Sequence, residues 1–156
     1  MKKHLTIVLA LVLSVALLTG SCKKKEKPQD EETAANKVTV KVNGEETVYK
    51  DYNIIHLMGY VNILTELKND LRVHITFPET AQEGETYTDK NEFAVTGYDS
   101  SEEDVFDSYY SQNFSFTVIK NDAENKWYKG TFKFDYEDYW EDVTIHVEGS
   151  YDVKED

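Results

Sequence analysis

Two acidic runs flanked by aromatic residues are the parts of this sequence best suited to contact a ligand. The runs span residues 99–107 and 135–142, and each contains five carboxylates. Aromatic faces beside hydrogen-bond acceptors suit sugar rings and the hot spots of protein interfaces. The alternative is that these rings cap the open ends of a core with few aliphatic residues. The four aromatic residues predicted to contact a ligand are Tyr109, Tyr110, Tyr139 and Trp140.

The same residue types raise the question of a metal site. Clustered carboxylates suit calcium, but the first run lacks the Gly at position six and the Glu at position twelve of an EF-hand loop. We expect solvated acidic loops, with a loose cation site as the alternative. Three histidines follow residue 22, namely His56, His74 and His146, without His-x-x-x-His or Cys-x-x-Cys spacing. His74 and His146 have the outward parity of two strands, which leaves pairing across a sheet open. We predict no metal site and no cofactor.

Catalytic patterns are also weak. Glycoside hydrolysis needs two carboxylates at a defined separation, and 30 acidic residues supply candidate pairs by chance. No Gly-x-Ser-x-Gly elbow is present, so a serine hydrolase is not indicated. We predict no catalytic residue and no enzymatic activity, with a glycan-acting hydrolase as the alternative.

The amino terminus has the pattern of an export signal. Met1-Lys2-Lys3-His4 is positively charged, and residues 5–18 are apolar and uncharged. As a helix, this run of about 14 residues would be roughly 21 Å long, which is short for a bilayer core of about 30 Å. A charged start, a short apolar run and small residues at its end are typical of a cleaved signal peptide.

The only cysteine of the chain follows this apolar run. The segment Leu-Thr-Gly-Ser-Cys at 18–22 resembles the lipobox of bacterial lipoproteins, in which the Cys becomes the lipidated first residue of the mature chain. The usual pattern has Leu three residues before the Cys, where this chain has Thr19, and looser boxes of this kind are similar to those of Bacteroidetes-type bacteria. Ordinary cleavage after Ser21 is the alternative. The resemblance implies a signal peptide over 1–21, lipidation of Cys22 and anchoring at the bacterial outer membrane, on its periplasmic or cell-surface face.

The charge of the mature chain excludes one class of partner. Cleavage removes Lys2 and Lys3 from 17 basic residues and none of the 30 acidic ones, so the net charge falls from −13 to about −15. Such a charge repels phosphates, and we predict that the protein binds no nucleic acid. Residues 22–36 have no apolar period and are predicted to form a disordered tether.

Alternating apolar residues predict strands throughout residues 37–156. Asn43-Gly44 is a strong hairpin signal, residues 60–67 fit a strand or a single helical turn, and 79–91 fit a polar loop. Seven or eight short strands separated by turns indicate an all-β domain, an antiparallel β-sandwich or alternatively a small β-barrel. Alternating sets include Val38, Val40 and Val42; Leu71, Val73, Ile75 and Phe77; Phe114, Phe116 and Val118; Tyr128, Phe132, Phe134 and Tyr136; and Val143, Ile145, Val147, Tyr151 and Val153.

A series of short motifs in this domain carries a resemblance. They are Val-Lys-Val-Asn-Gly-Glu at 40–45, His-Ile-Thr-Phe-Pro at 74–78, Gly-Glu-Thr-Tyr at 84–87, Phe-Ser-Phe-Thr-Val at 114–118, Lys-Gly-Thr-Phe-Lys-Phe at 129–134, and Val-Thr-Ile through Glu-Gly-Ser-Tyr-Asp-Val at 143–153. The domain resembles small β-rich lipoprotein domains of Bacteroidetes whose function is unknown. The resemblance implies a sandwich-like fold and no catalytic residue.

Together these features predict a lipid-anchored cell-envelope lipoprotein whose acidic β-sandwich is a non-catalytic binding or structural module. Its expected partners are the membrane, through the lipid, and a protein or glycan ligand. An acidic inhibitor or immunity-type protein that presents residues 135–142 to a basic partner is a further alternative.

Overall fold

Two antiparallel sheets packed face to face make up residues 34–138 and 142–155, the part of the chain that the computed structural model describes. Cys22, the predicted signal peptide and the predicted tether lie outside the described residues. The six-stranded sheet has the order β2-β1-β11-β10-β9-β6, and the five-stranded sheet has the order β3-β4-β5-β7-β8. The strands are β1 (Lys37–Val42), β2 (Glu45–Tyr49), β3 (Tyr52–Leu57), β4 (Tyr60–Thr65), β5 (Arg72–Pro78), β6 (Thr86–Tyr87), β7 (Ala94–Tyr98), β8 (Asp104–Asp107), β9 (Ser111–Asp122), β10 (Trp127–Asp138) and β11 (Val143–Lys154).

The predicted antiparallel sandwich is therefore confirmed, and the sheets do not close into a barrel. The described residues hold eleven strands, more than the seven or eight predicted. Part of the difference is the two-residue strand β6, which lies inside the segment predicted to be a polar loop. No helical segment in this part of the chain has the length and hydropathy needed to traverse a lipid bilayer.

Most of the alternating residues are buried between the two sheets, whereas Val143, at the start of β11, is 45% exposed. Phe77 of β5 lies at the centre, and its ring centroid is 5.5 Å from that of Tyr151 and 5.7 Å from that of Phe116 on the opposite sheet. Rings of this size bury much apolar area each, and such ring pairs contribute about 0.5–1.5 kcal/mol beyond that burial. Aromatic contacts between the sheets therefore stabilise the centre of the core, alongside its Val and Ile residues. Its fully buried members include Val38, Val40, Tyr49, Val61, Ile63, Val73, Ile75, Phe77, Val95, Phe106, Phe116, Val118, Tyr128, Tyr151 and Val153.

Three glycines leave space for an aromatic ring on the neighbouring strand. Gly97 pairs with Phe106, Gly130 with Tyr151 and Gly149 with Phe132 in the strand registers. A Cβ atom added at any of the three would lie 2.4–2.5 Å from the facing side chain. Each ring thus covers a glycine on the neighbouring strand, an arrangement that protects the glycine backbone and pins the register.

The predicted hairpin at Asn43-Gly44 is confirmed. The two residues have φ angles of 49° and 89°, as a two-residue type I′ turn requires. The Asn43 side chain also accepts a hydrogen bond from the His146 amide at 2.9 Å. A second two-residue turn with positive φ, at Met58 and Gly59, joins β3 to β4.

The two most deeply placed tyrosine hydroxyls differ in their hydrogen bonding. Tyr49 donates to the Leu71 carbonyl at 3.0 Å, whereas the buried Tyr151 hydroxyl has no hydrogen-bond partner among the described residues. Burial raises the pKa of Tyr49 to about 12 and raises that of Tyr151 well above its ordinary value. Both tyrosines therefore stay protonated and act in the core as neutral groups.

We predict that Tyr49→Phe and Tyr151→Phe change stability in opposite ways. Tyr49→Phe removes a satisfied hydrogen bond and should lower the free energy of unfolding by about 1 kcal/mol. Tyr151→Phe removes an unpartnered buried hydroxyl, so the free energy of unfolding should stay unchanged or rise. Denaturant titration of the two variants measures both effects. An equal loss in both would show that the Tyr151 hydroxyl is satisfied.

Candidate functional site

Tyr109 and Tyr110 project from a short 3₁₀ turn, Ser108–Tyr110, between β8 and β9. The Tyr109 amide donates to the Asp107 carboxylate at 2.8 Å, and the buried Ser108 hydroxyl accepts from the Val95 amide at 2.9 Å. The two rings lie edge to face with centroids 5.1 Å apart. Tyr109 is 55% and Tyr110 67% exposed. The turn thus presents two adjacent rings to solvent from a backbone tied to the core.

The other two predicted contact residues, Tyr139 and Trp140, lie outside the described residues, between Asp138 and Asp142. Their predicted role stays a prediction. The strands that flank them, β10 and β11, pair along their whole length from Trp127↔Lys154 to Asp138↔Val143.

The structure brings the two acidic runs together near the Tyr109–Tyr110 pair. Burial is the first cause that raises the pKa of Tyr136 on β10, followed by the negative charges of Asp138, Asp104 and Asp107. The pKa of Asp107 is raised first by burial, against the opposing effect of the Tyr109 amide. Carboxylates from residues 99–107 and from residues 135–142 therefore lie around the same Tyr136 hydroxyl, at one end of the sandwich. We call this surface the tyrosine end.

The acidic loop at 99–104 is organised by its own backbone. The Asp99 carboxylate accepts hydrogen bonds from the amides of Ser101 at 2.7 Å and Glu103 at 3.0 Å. Within residues 34–138 and 142–155, no group of three or more His, Cys, Asp or Glu side chains is placed to hold a metal ion. Glu141, in the second run, is outside these ranges.

The two outward histidines do not share a sheet, so the pairing that the sequence left open is wrong. His74 is on β5 of the five-stranded sheet and His146 is on β11 of the six-stranded sheet. The parity of each histidine along its strand cannot show whether the two strands join the same sheet, because that depends on the strand order of the fold. The His74 Nε2 lies 3.1 Å from both the side-chain oxygen Oδ1 of Asn62 and the Thr76 hydroxyl, and burial lowers the pKa of His74.

His146 instead forms a pair with Asp135 across β10 and β11. The His146 Nδ1 lies 2.5 Å from Asp135 Oδ1, and the side-chain amide Nδ2 of Asn113 donates to Asp135 Oδ2 at 2.7 Å. The hydrogen bond from Asn113, followed by that from His146, lowers the pKa of Asp135. The pair is exposed to solvent. The Asp135–His146 pair could not be found from sequence spacing, because the two residues become neighbours only in the register between β10 and β11.

The outer face of the six-stranded sheet forms a depression of about 580 Å³ that is open to solvent. A row of short hydroxyl side chains crosses its floor on five adjacent strands. A second depression of about 430 Å³, lined by Asp135 and His146, shares Lys41, Lys133 and Glu148 with it. The hydroxyl row consists of Thr39, Ser150, Thr131, Thr117 and Thr86, in that register order.

No protein-family model matches this chain, and no curated protein matches it either. The resemblance to small lipoprotein domains of Bacteroidetes stays a prediction.

Proposed function

We propose that this protein is a non-catalytic binding module of a bacterial cell envelope, anchored in the outer membrane by a lipid on Cys22. The anchor rests on the charged start, the apolar run and the Cys at residue 22, the single cysteine of the chain. One cysteine cannot form an internal disulfide, so an exported domain must be held together by its core. The aromatic sandwich meets that need.

The binding surface is the tyrosine end, and the exposed Tyr109–Tyr110 pair is the observation that carries this proposal. Tyrosine supplies a large contact area and a hydroxyl at a small cost in conformational entropy. These rings project from a turn whose backbone is held by Asp107, Ser108 and Ser111. A preorganised aromatic surface beside acceptor groups suits a protein or glycan ligand.

A second candidate function follows from the meeting of the two acidic runs. Asp104, Asp107 and Asp138 concentrate negative charge beside Tyr136, in a chain with net charge −13. An inhibitor or immunity-type protein that covers a basic partner would use such a surface. Binding of this kind would weaken steeply with salt, whereas stacking of a glycan on tyrosine would not.

We predict that Cys22→Ser releases the protein from the membrane. In a bacterial host that makes lipoproteins, the wild-type full-length chain should fractionate with the membrane, and its mature amino terminus should carry acyl groups by mass spectrometry. Cys22→Ser should appear in the soluble fraction. Ser21→Ala is the matched control, since it keeps a small residue before the cysteine. An unmodified wild-type terminus would contradict the anchor.

We predict that Tyr109→Ser/Tyr110→Ser lowers binding of the domain to outer-membrane preparations at least tenfold, because such rings act as binding hot spots. A chain that starts at residue 34 is suitable, since both sheets and the core lie between residues 34 and 155. Met58→Ser is the control, because Met58 is 90% exposed on a different turn. Saturable binding that the double substitution leaves intact would refute the role of the pair.

A further inference from the structure

Two rows of long charged side chains flank the hydroxyl row on the outer face of the six-stranded sheet. The first charged row crosses β2, β1, β11 and β10 and consists of Glu46, Lys41, Glu148 and Lys133. The second crosses β1, β11, β10 and β9 and consists of Lys37, Asp152, Lys129 and Lys120. We call the hydroxyl row and its two charged rows the hydroxyl face.

The hydroxyl face is long and narrow. Neighbouring strands are about 4.8 Å apart, so the five strands of the hydroxyl row extend over about 19 Å. Each charged row lies two residues away along the strands, so the two charged rows are about 13 Å apart. The depression of about 580 Å³ is lined by the short hydroxyl side chains and by the longer side chains of the first charged row. This shape fits a linear chain better than a single small molecule.

The hydroxyls of this face are available to a ligand. Thr86 Oγ1 and Thr117 Oγ1 lie 2.8 Å apart and bond to each other. The other three hydroxyls of the row bond to no other residue in the described part of the chain, and they belong to Thr39, Ser150 and Thr131. A hydroxyl can donate one hydrogen bond and accept two, so these groups suit a ligand that is itself rich in hydroxyls.

The charge of this face differs from that of the whole chain. The two charged rows contain five lysines and three carboxylates, a net charge of +2, whereas the chain carries −13. Lys41 lies 3.3 Å from Glu148, and Lys129 lies 3.5 Å from Asp152. Lys133, which lines both depressions, has no carboxylate of a described residue within 4.0 Å. Its ammonium group can therefore pair with an anionic group of a ligand.

We propose that the hydroxyl face binds a linear acidic glycan, a chain of sugar rings that carries carboxylate or sulfate groups. Sugar hydroxyls both donate and accept hydrogen bonds, as the Thr and Ser hydroxyls do. The acidic groups of the glycan pair with Lys133, which adds a charge-assisted hydrogen bond. This site is distinct from the tyrosine end, because Thr131 and Tyr136 are five residues apart on β10, roughly 16 Å.

Other anionic chains match the hydroxyl face less well. An acidic peptide supplies carboxylates but few hydroxyls for Thr39, Ser150 and Thr131. Single-stranded nucleic acid usually stacks its bases on exposed aromatic rings, and Phe132, the aromatic residue that lines the depression, is only 3% exposed. Recognition here depends on hydrogen bonds and charge, which an acidic glycan combines.

Isothermal titration calorimetry with the chain that starts at residue 34 tests the ligand class. The two acidic probes are oligogalacturonate, which carries carboxylates, and sulfated dextran. The three comparison probes are a neutral cello-oligosaccharide, polyglutamate and oligothymidylate. We expect at least one acidic glycan to bind saturably and at least tenfold more tightly than each comparison probe. No saturable binding of either acidic glycan, or a smaller ratio against any comparison probe, would overturn the proposal.

Two substitutions locate the site. Thr131→Val removes a hydroxyl and Lys133→Ser removes the ammonium group, and each should raise the dissociation constant of the bound acidic glycan at least fivefold. The matched controls are Thr96→Val, on the outer face of β7 in the other sheet, and Lys50→Ser, in the exposed turn between β2 and β3. Each control should change the constant less than twofold. Circular dichroism verifies the fold of all four variants, and equal effects of substitution and control would refute the site.

Salt and the tyrosine pair separate this site from the tyrosine end. Between about 0.1 M and 1 M salt the Debye length falls from about 10 Å to about 3 Å, so the dissociation constant of the acidic glycan should rise at least fivefold. Tyr109→Ser/Tyr110→Ser should leave that constant within twofold of the wild-type value. A constant that salt does not change, or that the double substitution raises tenfold, would contradict binding at the hydroxyl face.

Discussion

The contact between an aromatic ring and the glycine opposite it on the next strand controls how closely the two sheets pack. At Gly97, Gly130 and Gly149 the facing ring occupies the space that a Cβ atom would take. The rings of Phe106, Tyr151 and Phe132 therefore lie against their own sheet. Phe77 of the other sheet then approaches within 5.5 Å of Tyr151, measured between ring centroids.

This packing also positions the tyrosine end. Phe106 is fully buried over Gly97, and two residues later Ser108 is buried and bonded to the Val95 amide. The 3₁₀ turn that carries Tyr109 and Tyr110 follows directly, so the exposed rings stand on backbone that the core holds in place. The same alternation that buries the core rings sends polar side chains outward on the six-stranded sheet, where they form the hydroxyl row and the Asp135–His146 pair.

Much of the fold was predictable because period-two alternation and the Asn43-Gly44 turn are local signals. The glycine–ring pairs were not, since Gly97 and Phe106 become partners only once the strands are in register. The convergence of the two acidic runs depends on the same long-range alignment. For the same reason the parity of His74 and His146 left their pairing across a sheet open. Tyr109 and Tyr110 were predicted to contact a ligand because they are aromatic and lie beside an acidic run, and the structure places both side chains in solvent.

A double-mutant cycle at Gly97 and Phe106 tests this packing account most directly, because the three nearest atoms to a Cβ at Gly97 all belong to the Phe106 ring. Gly97→Ala alone should lower the free energy of unfolding by about 1–3 kcal/mol, as overpacking does. In a Phe106→Leu background the same substitution should cost at least about 1 kcal/mol less, since the facing ring is gone. The account would be contradicted if the free-energy costs of the two single substitutions added up to the cost of the double substitution to within about 0.5 kcal/mol.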